Sequence, residues 1–266
     1  MSGPRRPKHT RDELRVLLIE TARAILRDEG LGTGVENLTF KRVFQRVERD
    51  TGLRLTNASV IKRVWDNQAE FQDDVLVAVA SDEGVSEFEQ TMAAVAGVID
   101  AVDLSTEASR WEALREVCRV GGAANMTSLL ESTEWPSWIG VWTLSNVVNA
   151  PAQRRRIEGA LLEGYEGFTA HFEQAYLALA GLLGFRLRAP LTIRQFTMAV
   201  SALAEGCALR GRVDLASMSG IERATGVDGA PQEWTLLGTG IEALVVQFFE
   251  ADPEFGRRVD GPAAGD

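Results

Sequence analysis

Apolar residues recur every three or four positions along most of this chain, which is the periodicity of helices with one buried face. The pattern is clear over residues 11–29, where its members are Leu14, Leu17, Leu18, Ala22, Ile25 and Leu26. Thr10 or Asp12 can cap the start of this helix, and Gly30 marks its end.

Three shorter helices are predicted next. Thr39 is a suitable N-cap for the first of them, which ends near Gly52. Its apolar positions are Phe40, Val43, Phe44 and Val47. Thr56 or Asn57 can cap the second helix, whose apolar face consists of Val60, Ile61, Val64 and Trp65. The third helix runs from about residue 68 to residue 80.

Helical periodicity returns later in the chain, after a mixed acidic stretch over 81–106. The predicted segments are 107–130, 137–149, 151–183, 192–210 and 233–250. Residues 184–190 break the pattern, and a loop rich in Gly and Ser covers 211–232. We find neither a strong alternating strand nor a Gly-rich phosphate loop, so the sequence predicts an all-α fold.

Composition excludes several classes of protein. Hydrophobic residues make up 45% and charged residues 25%, which is typical of a globular chain. There is no apolar run long enough for a membrane span, and the basic first ten residues are not followed by the apolar stretch of a secretory signal. Cys118 and Cys207 form no closely spaced pair, which favours buried, reduced thiols and a cytoplasmic protein.

The charge is distributed unevenly. Residues 1–65 contain 14 basic and 8 acidic residues, a net charge of +6. The rest of the chain contains 14 basic and 30 acidic residues, a net charge of −16. A polyanion such as DNA would be attracted to one end only, although a membrane surface would show the same bias and chance is the simpler alternative.

The predicted helix that Thr56 or Asn57 can cap carries the most informative chemistry. At 100° per residue its apolar positions fall on one side, and the polar residues Thr56, Ser59, Lys62 and Arg63 fall on the other. Such a face fits the DNA major groove, where Lys and Arg donate hydrogen bonds to guanine or to phosphate. The spacing indicates a helix-turn-helix, with 39–50 as the supporting helix and 56–64 as the reading helix. The alternative is a small bundle with a solvated polar face.

These motifs resemble the N-terminal domain of the TetR-type transcriptional regulators. The resemblance covers residues 11–76 and rests on four stretches: Glu20-Thr21-Ala22-Arg23-Ala24-Ile25-Leu26 with Glu29-Gly30, then Leu38-Thr39-Phe40 with Val43-Phe44, then Thr56 to Trp65, then Phe71 and Leu76. The chain departs from the family pattern at Lys62, where a tyrosine is common, and at Asn67-Gln68, where a Ser-Lys pair is common. The turn between the two helices is also longer than usual.

The resemblance implies a ligand-responsive regulator, commonly a repressor, that binds a near-palindromic DNA operator as a homodimer. It implies a flexible basic arm over 1–10, a three-helix DNA-binding domain over 11–66, a larger helical ligand-binding and dimerisation domain over 67–252, and a disordered tail over 253–266. The DNA-contacting residues would be Thr39, Lys41, Arg42, Thr56, Asn57, Ser59, Lys62 and Arg63, assisted by Arg5, Arg6 and Lys8 of the arm.

Aromatic residues in the larger domain are candidates for an effector pocket. Trp135, Trp138 and Trp142 share one helix face, and large side chains with a polar tip can surround an apolar ligand. The full candidate set is Trp111, Met126, Trp135, Trp138, Trp142, Tyr165, Phe168 and Phe172. Polar contacts could come from Asn125, Asn146, His171 and Glu205. The alternative is that these aromatics only pack the core.

Two helices near the C-terminus are candidates for the dimer contact. The segments 192–210 and 233–250 have wide apolar stripes and small residues that permit close approach: Ala199, Ala202, Ala204, Gly206, Gly238 and Gly240. In the family these last helices pair with their counterparts across a two-fold axis. The alternative is a packing pair within one monomer.

Other classes of function have less support. The chain has two histidines, His9 and His171, and no nucleophile motif, metal-ligand spacing or phosphate loop. We therefore expect no enzyme activity, no cofactor and no metal. A helical protein–protein interaction module, or a helical enzyme without DNA binding, remains the alternative.

Overall fold

The computed structural model describes residues 9–30, 35–60, 62–81, 85–224 and 229–255, and this part of the chain is mostly helical. The basic arm as far as residue 8, Ile61 and the end of the tail lie outside the described residues, as does the side chain of Ser59. None of the described helices combines the length and apolar character needed to cross a membrane.

The helices follow one another with short connections. In chain order they are α1 (Arg11–Glu29), α2 (Phe40–Thr51), α3 (Asn57–Val60), α4 (Gln68–Ala80), α5 (Val85–Ile99), α6 (Glu107–Glu131), α7 (Trp135–Ser145), α8 (Pro151–Leu182), α9 (Ile193–Gly211) and α10 (Leu236–Phe248). Most of these bounds agree with the hydrophobic periodicity to within a few residues. The segment 81–106, which had no clear pattern, contains α5.

Two short antiparallel strand pairs accompany the helices, and the predominance of helix agrees with the predicted all-α class. Strand β1 (Phe185–Leu187) pairs with β4 (Phe249–Ala251), and β2 (Ile221–Ala224) pairs with β3 (Pro231–Trp234). Arg186 lies opposite Glu250, and their side chains form an ion pair at 2.9 Å. Strands of three or four residues are too short for an alternating pattern to be recognised. The sequence therefore predicted loops at β1 and β2, and it assigned most of β4 to the helix predicted over 233–250.

The chain divides into two compact units. The first comprises residues 1–83 and 133–166, and the second comprises 84–132 and 167–266, so the division falls within α8. The units differ in extent from the domains predicted from the sequence, because α4, α7 and the beginning of α8 belong with the N-terminal helices. Each unit has its own hydrophobic core.

The first unit is built around α1, α2 and α4. Thr10 caps α1 in a reciprocal capping box with Glu13, and Gly30 ends the helix as predicted. Thr39 caps α2, and Gly52 ends it in the left-handed conformation (φ 72°) that glycine adopts without a steric penalty. The predicted inward residues of α2 are buried, and Phe40 stacks on Phe71 of α4 with ring centroids 5.0 Å apart.

The predicted reading helix over 56–64 is wrong in length. Helix α3 ends at Val60, and Lys62 has a positive φ of 62°, which is incompatible with a continuing right-handed helix. The Lys62 amide instead donates to the carbonyl of Trp65 at 2.7 Å and closes a turn. The indole of Trp65 is buried against Phe71, so this turn lies over the core of the first unit.

The second unit packs α5, α6, α9 and α10 with the end of α8. Helix α6 is in close contact with α10, and a Cβ atom at Gly122 would lie only 2.5 Å from the Cα of Gly238. Leu183, Phe196 and Trp234 are among the buried residues of the core. The small residues of α6 and α10 are therefore used for packing within this unit.

Candidate nucleic-acid interface and apolar cavity

The N-terminus of α2 offers a cation and an open backbone amide on one residue. Thr39 Oγ1 accepts a hydrogen bond from the Arg42 amide at 3.3 Å, and the Phe40 amide donates to Gln68 Oε1 at 3.4 Å. The Lys41 amide has no partner among the described residues, and its side chain is exposed. Arg42, one of the predicted DNA contacts, forms an ion pair with Glu29.

The turn after α3 presents two further cations. Lys62 is exposed, and it has no acidic partner in the described part of the chain. Arg63 is half-buried and donates from Nη2 to the carbonyl of His9 at 2.5 Å. In the opposite direction, Arg11 of α1 donates a hydrogen bond from Nη2 to the carbonyl of Val64 in the turn at 3.5 Å. The start of α1 and this turn are therefore held together by hydrogen bonds from guanidinium groups.

Most other cations of the N-terminal segment are neutralised by nearby acids. Arg46 bridges Asp28 and Asp50, and hydrogen bonds from Arg46 and Arg49 lower the pKa of Asp50 below its ordinary value. Arg54 pairs with Glu48 at 2.6 Å. Among described residues 9–65, the cations without a carboxylate partner are Arg11, Lys41, Lys62 and Arg63. We call these four residues the cationic group.

Aromatic packing connects the two parts of the cationic group. Phe40 directly precedes Lys41, and the centroid of its ring lies 6.2 Å from that of Trp65. The carbonyl of Trp65 in turn accepts the hydrogen bond from the Lys62 amide. Thr56 and Asn57 are also exposed, at the start of α3. The sequence-predicted DNA contacts at Lys41 and Lys62 are thus solvent-accessible, whereas Arg42 is occupied by an ion pair.

The predicted aromatic pocket is divided between the units. Trp138, Trp142 and Tyr165 form one cluster in the first unit, with successive ring centroids 5.3 and 5.8 Å apart, and Trp135 is buried there. The other four candidates, Trp111, Met126, Phe168 and Phe172, belong to the second unit. Of all eight, Phe172 is the one found in the lining of the cavity described next.

The second unit contains an apolar cavity of about 80 Å³ among α5, α6, α8, α9 and α10. Its walls are mainly aliphatic and aromatic: Val95, Leu114, Val117, Phe172, Phe185 and Phe196 are representative. The polar lining residues include Thr91, Asn125 and Tyr176. Asn125 Nδ2 donates to Thr91 Oγ1 at 3.4 Å, a long contact that joins α5 to α6.

Sequence reasoning identified Asn125 as a possible polar contact and grouped Tyr176 with the aromatic residues of the neighbouring predicted helices, but it missed Thr91. Thr91 was missed because α5 itself had no clear apolar period. Burial raises the pKa of the Tyr176 phenol, and the neighbouring Cys118 raises it further, so the phenol is neutral at physiological pH.

Neither comparison with known proteins nor a search for metal-ligand clusters assigns a family or a metal site to this chain. No protein-family model matches the chain, and no curated protein aligns with it significantly. Within the part of the chain that the structure describes, the His, Cys, Asp and Glu side chains form no group of three that could hold a metal ion. The TetR-type resemblance therefore stays a prediction based on the residues of the sequence.

Proposed function

We propose that this protein is a cytoplasmic, ligand-responsive transcriptional regulator of the TetR type, acting as a repressor. It binds a near-palindromic DNA site as a homodimer through the first unit, and an effector bound in the second unit releases it. The observation that carries this proposal is the cationic group, because it leaves positive charge without a carboxylate partner among described residues 9–65, where the other Lys and Arg side chains form ion pairs.

The α2 N-terminus supports a phosphate contact. The Lys41 amide belongs to the first turn of α2, at the positive end of the helix dipole, and the exposed ammonium group of the same residue has no carboxylate partner among the described residues. Lys62 supplies a second point charge from the turn that its amide closes with the carbonyl of Trp65, a residue whose ring packs near that of Phe40. Two such contacts per subunit would position the protein on duplex DNA, while the exposed residue Asn57 at the start of α3 would contact base edges.

The short α3 changes how the groove would be read. A single helical turn presents fewer side chains than the family's reading helix, so phosphate contacts contribute a larger share of the affinity. Counterion release then makes binding strongly salt-dependent, with a slope that falls by about 0.9 for each phosphate contact removed.

The apolar cavity supports the sensor role. It lies in the unit that does not contain the cationic group, so effector and DNA would occupy distinct sites. If the effector lowers DNA affinity, DNA must lower effector affinity by the same factor.

The outer face of α9 supports a homodimer. Met198 and Leu209 are 44% and 47% exposed, and Ala202 lies between them on the same helix face. On α10, Leu236 and Val246 are also exposed. Exposed apolar side chains grouped on two adjacent helices are typical of a subunit interface.

The decisive experiment is selection of bound sequences from random duplex DNA, followed by gel-shift titration of the selected site. We expect a two-fold symmetric consensus. Lys41→Ala and Lys62→Ala should each weaken binding about tenfold and reduce the salt slope by about one or two per dimer. Arg186→Ala is the matched control, because it removes one exposed cation from the second unit.

A different set of results would refute the proposal. Equal loss of affinity in all three variants would indicate non-specific attraction to net charge. Failure to enrich any sequence, together with salt-insensitive binding to a protein partner, would favour a helical interaction module.

A further inference from the structure

The carboxylate of Asp74, on α4, receives hydrogen bonds on both of its oxygen atoms. Oδ2 accepts from the indole Nε1 of Trp65 at 2.8 Å and from Nη2 of Arg15 at 3.0 Å. Oδ1 accepts from Nη2 of Arg156 at 2.7 Å. The Asp74 side chain is only 12% exposed, so water competes little for these bonds. Because donors lie on both oxygens, the carboxylate cannot rotate without breaking one of them.

One of these donors belongs to the turn after α3, which carries Lys62. The Trp65 carbonyl accepts from the Lys62 amide at 2.7 Å, and the Trp65 ring packs edge-on against Phe71 with centroids 4.9 Å apart. Lys62 has a φ of 62°, a conformation that a residue with a Cβ atom keeps only where its surroundings fix it. The position of Lys62 therefore depends on a fixed Trp65.

Helix α8 supplies the donor on the other oxygen. Arg156 lies in the first unit, near the start of α8. One turn earlier on the same helix, Gln153 Nε2 donates to Oδ1 of Asp73 at 2.6 Å. Adjacent carboxylates of α4 thus each accept a hydrogen bond from the first two turns of α8. The Arg156 side chain is 50% exposed, so its ion pair adds little to the free energy of unfolding, although it fixes the carboxylate.

We propose that Asp74 and Arg156 are positioning residues for DNA binding. Through the indole of Trp65 they hold the turn after α3 in the conformation that presents Lys62 to a phosphate. This inference deepens the proposed function and rests on it for the DNA contact, but the positioning of the turn does not require DNA. A correctly placed contact surface therefore needs a residue of α8, which lies far outside the predicted DNA-binding segment 11–66.

The first test uses the full-length protein without DNA. Arg156→Ala should speed hydrogen exchange of the Trp65 indole proton and of the Lys62 amide by about fivefold or more, because both bonds open more often once the carboxylate can rotate. Nuclear magnetic resonance follows both signals. Arg155→Ala is the matched control. It removes the adjacent exposed arginine of α8, which donates no hydrogen bond to Asp74, and should leave both rates unchanged.

The second test is a double-mutant cycle on the selected DNA site. Arg156→Ala should weaken binding about fivefold in the wild-type background and in Lys41→Ala, but less than about twofold in Lys62→Ala, where no charge is left to position. Arg156→Lys keeps a charged donor and should restore most of the affinity. A protein that is merely destabilised would lose affinity by the same factor in all three backgrounds.

Asp74→Asn should reproduce this pattern with larger losses, because it weakens the bonds from all three donors. It also lowers stability, so its binding is compared at a temperature where circular dichroism shows the variant to be folded. Arg156→Ala decides the question if Asp74→Asn does not fold, since the exposed ion pair can be removed without unfolding the protein.

Several results would overturn the inference. These are unchanged exchange of both protons in Arg156→Ala, equal exchange in Arg155→Ala and Arg156→Ala, or a fivefold loss of DNA affinity that persists in Lys62→Ala. The two proposals fail separately. If the wild type selects no DNA sequence, the regulator is refuted, and the exchange experiment still decides whether Asp74 and Arg156 hold the turn. If Arg156→Ala binds a symmetric site as tightly as the wild type, only this inference fails.

Discussion

The indole Nε1 of Trp65 donates a hydrogen bond to Oδ2 of Asp74 at 2.8 Å. Arg15 and Arg156 donate to the same carboxylate at 3.0 and 2.7 Å. Burial raises the pKa of Asp74, but the hydrogen bonds from Trp65, Arg156 and Arg15 together bring the pKa below its ordinary value. One carboxylate thus joins the turn after α3 to α1, α4 and α8.

We predict that Asp74→Asn lowers the free energy of unfolding by about 2 kcal/mol at pH 7, because three donors lose a charged acceptor. The lowered pKa means that this stabilisation is present above the unfolded-state pKa of about 4 and is lost as the pH falls through the folded-state value. Urea unfolding at pH 7 and pH 3 should show a difference between wild type and variant that shrinks at the lower pH. Asp66→Asn, at an exposed position, is the control; an equal effect there would contradict the prediction.

Lys62 combines an exposed charge with an unfavourable backbone conformation. Its φ of 62° costs a non-glycine residue about 1 kcal/mol. Lys62→Gly should therefore be more stable than Lys62→Ala by about that amount, while both variants lose the same charge and bind DNA equally weakly. Thermal unfolding and gel-shift titration measure the two effects. Greater stability in Lys62→Ala would show that this residue is not in the left-handed region.

Helices with strong periodicity could be predicted from the sequence almost to the residue. Thr10, Thr39 and Thr192 each cap a helix in the structure, and each precedes a clear apolar period. The length of α3 could not be predicted, because the pattern of Val60, Val64 and Trp65 fits both a helix and a turn packed on the core. The left-handed conformation of Lys62 has no sequence signal.

The cavity could be predicted only in part. Asn125 stood out as a polar residue on an apolar helix, but its partner Thr91 comes from α5, which sequence periodicity did not reveal. The tryptophans were more prominent and were assigned to one pocket, whereas the structure divides the aromatic set between two cores. Side-chain type predicts burial well, but which buried residues border an empty space depends on tertiary packing.

The proposed dimer surface makes a direct prediction about assembly. Leu209→Glu places a charge on the outer face of α9 and should shift the protein from dimer to monomer, because the carboxylate would be buried without a partner. Val147→Glu is the control, since Val147 is 65% exposed in the first unit. Sedimentation velocity at micromolar concentration distinguishes the states. A monomeric wild type, or dissociation in both variants, would contradict the assignment.

Glu205 should make stability depend on pH. It is half-buried on α9 without a hydrogen-bonding or ionic partner among the described residues, and burial raises its pKa from 4.5 to about 7. The folded state therefore retains the proton more strongly, so stability is greatest below about pH 4.5 and declines as the pH rises through 7. Glu205→Gln should remove this decline and be about 2 kcal/mol more stable than wild type at pH 8, with little difference at pH 5. The effect would be excluded if the melting temperatures of the wild type and of Glu205→Gln changed with pH in the same way across this range.

Substitutions of two helical glycines, Gly122 and Gly97, should have opposite effects on stability, because Gly122 contacts the backbone of Gly238 and Gly97 has open space beside it. A Cβ atom at position 122 would lie 2.5 Å from the Cα and 2.7 Å from the backbone nitrogen of Gly238, and neither is the end of a flexible side chain. Gly122→Ala should therefore force α6 and α10 apart and cost about 2 kcal/mol. Gly97→Ala, in α5, meets no atom within 4 Å and should instead stabilise the helix by about 0.5–1 kcal/mol. Chemical denaturation of both variants measures the difference, and a stabilising Gly122→Ala would mean that the two helices are not in direct backbone contact.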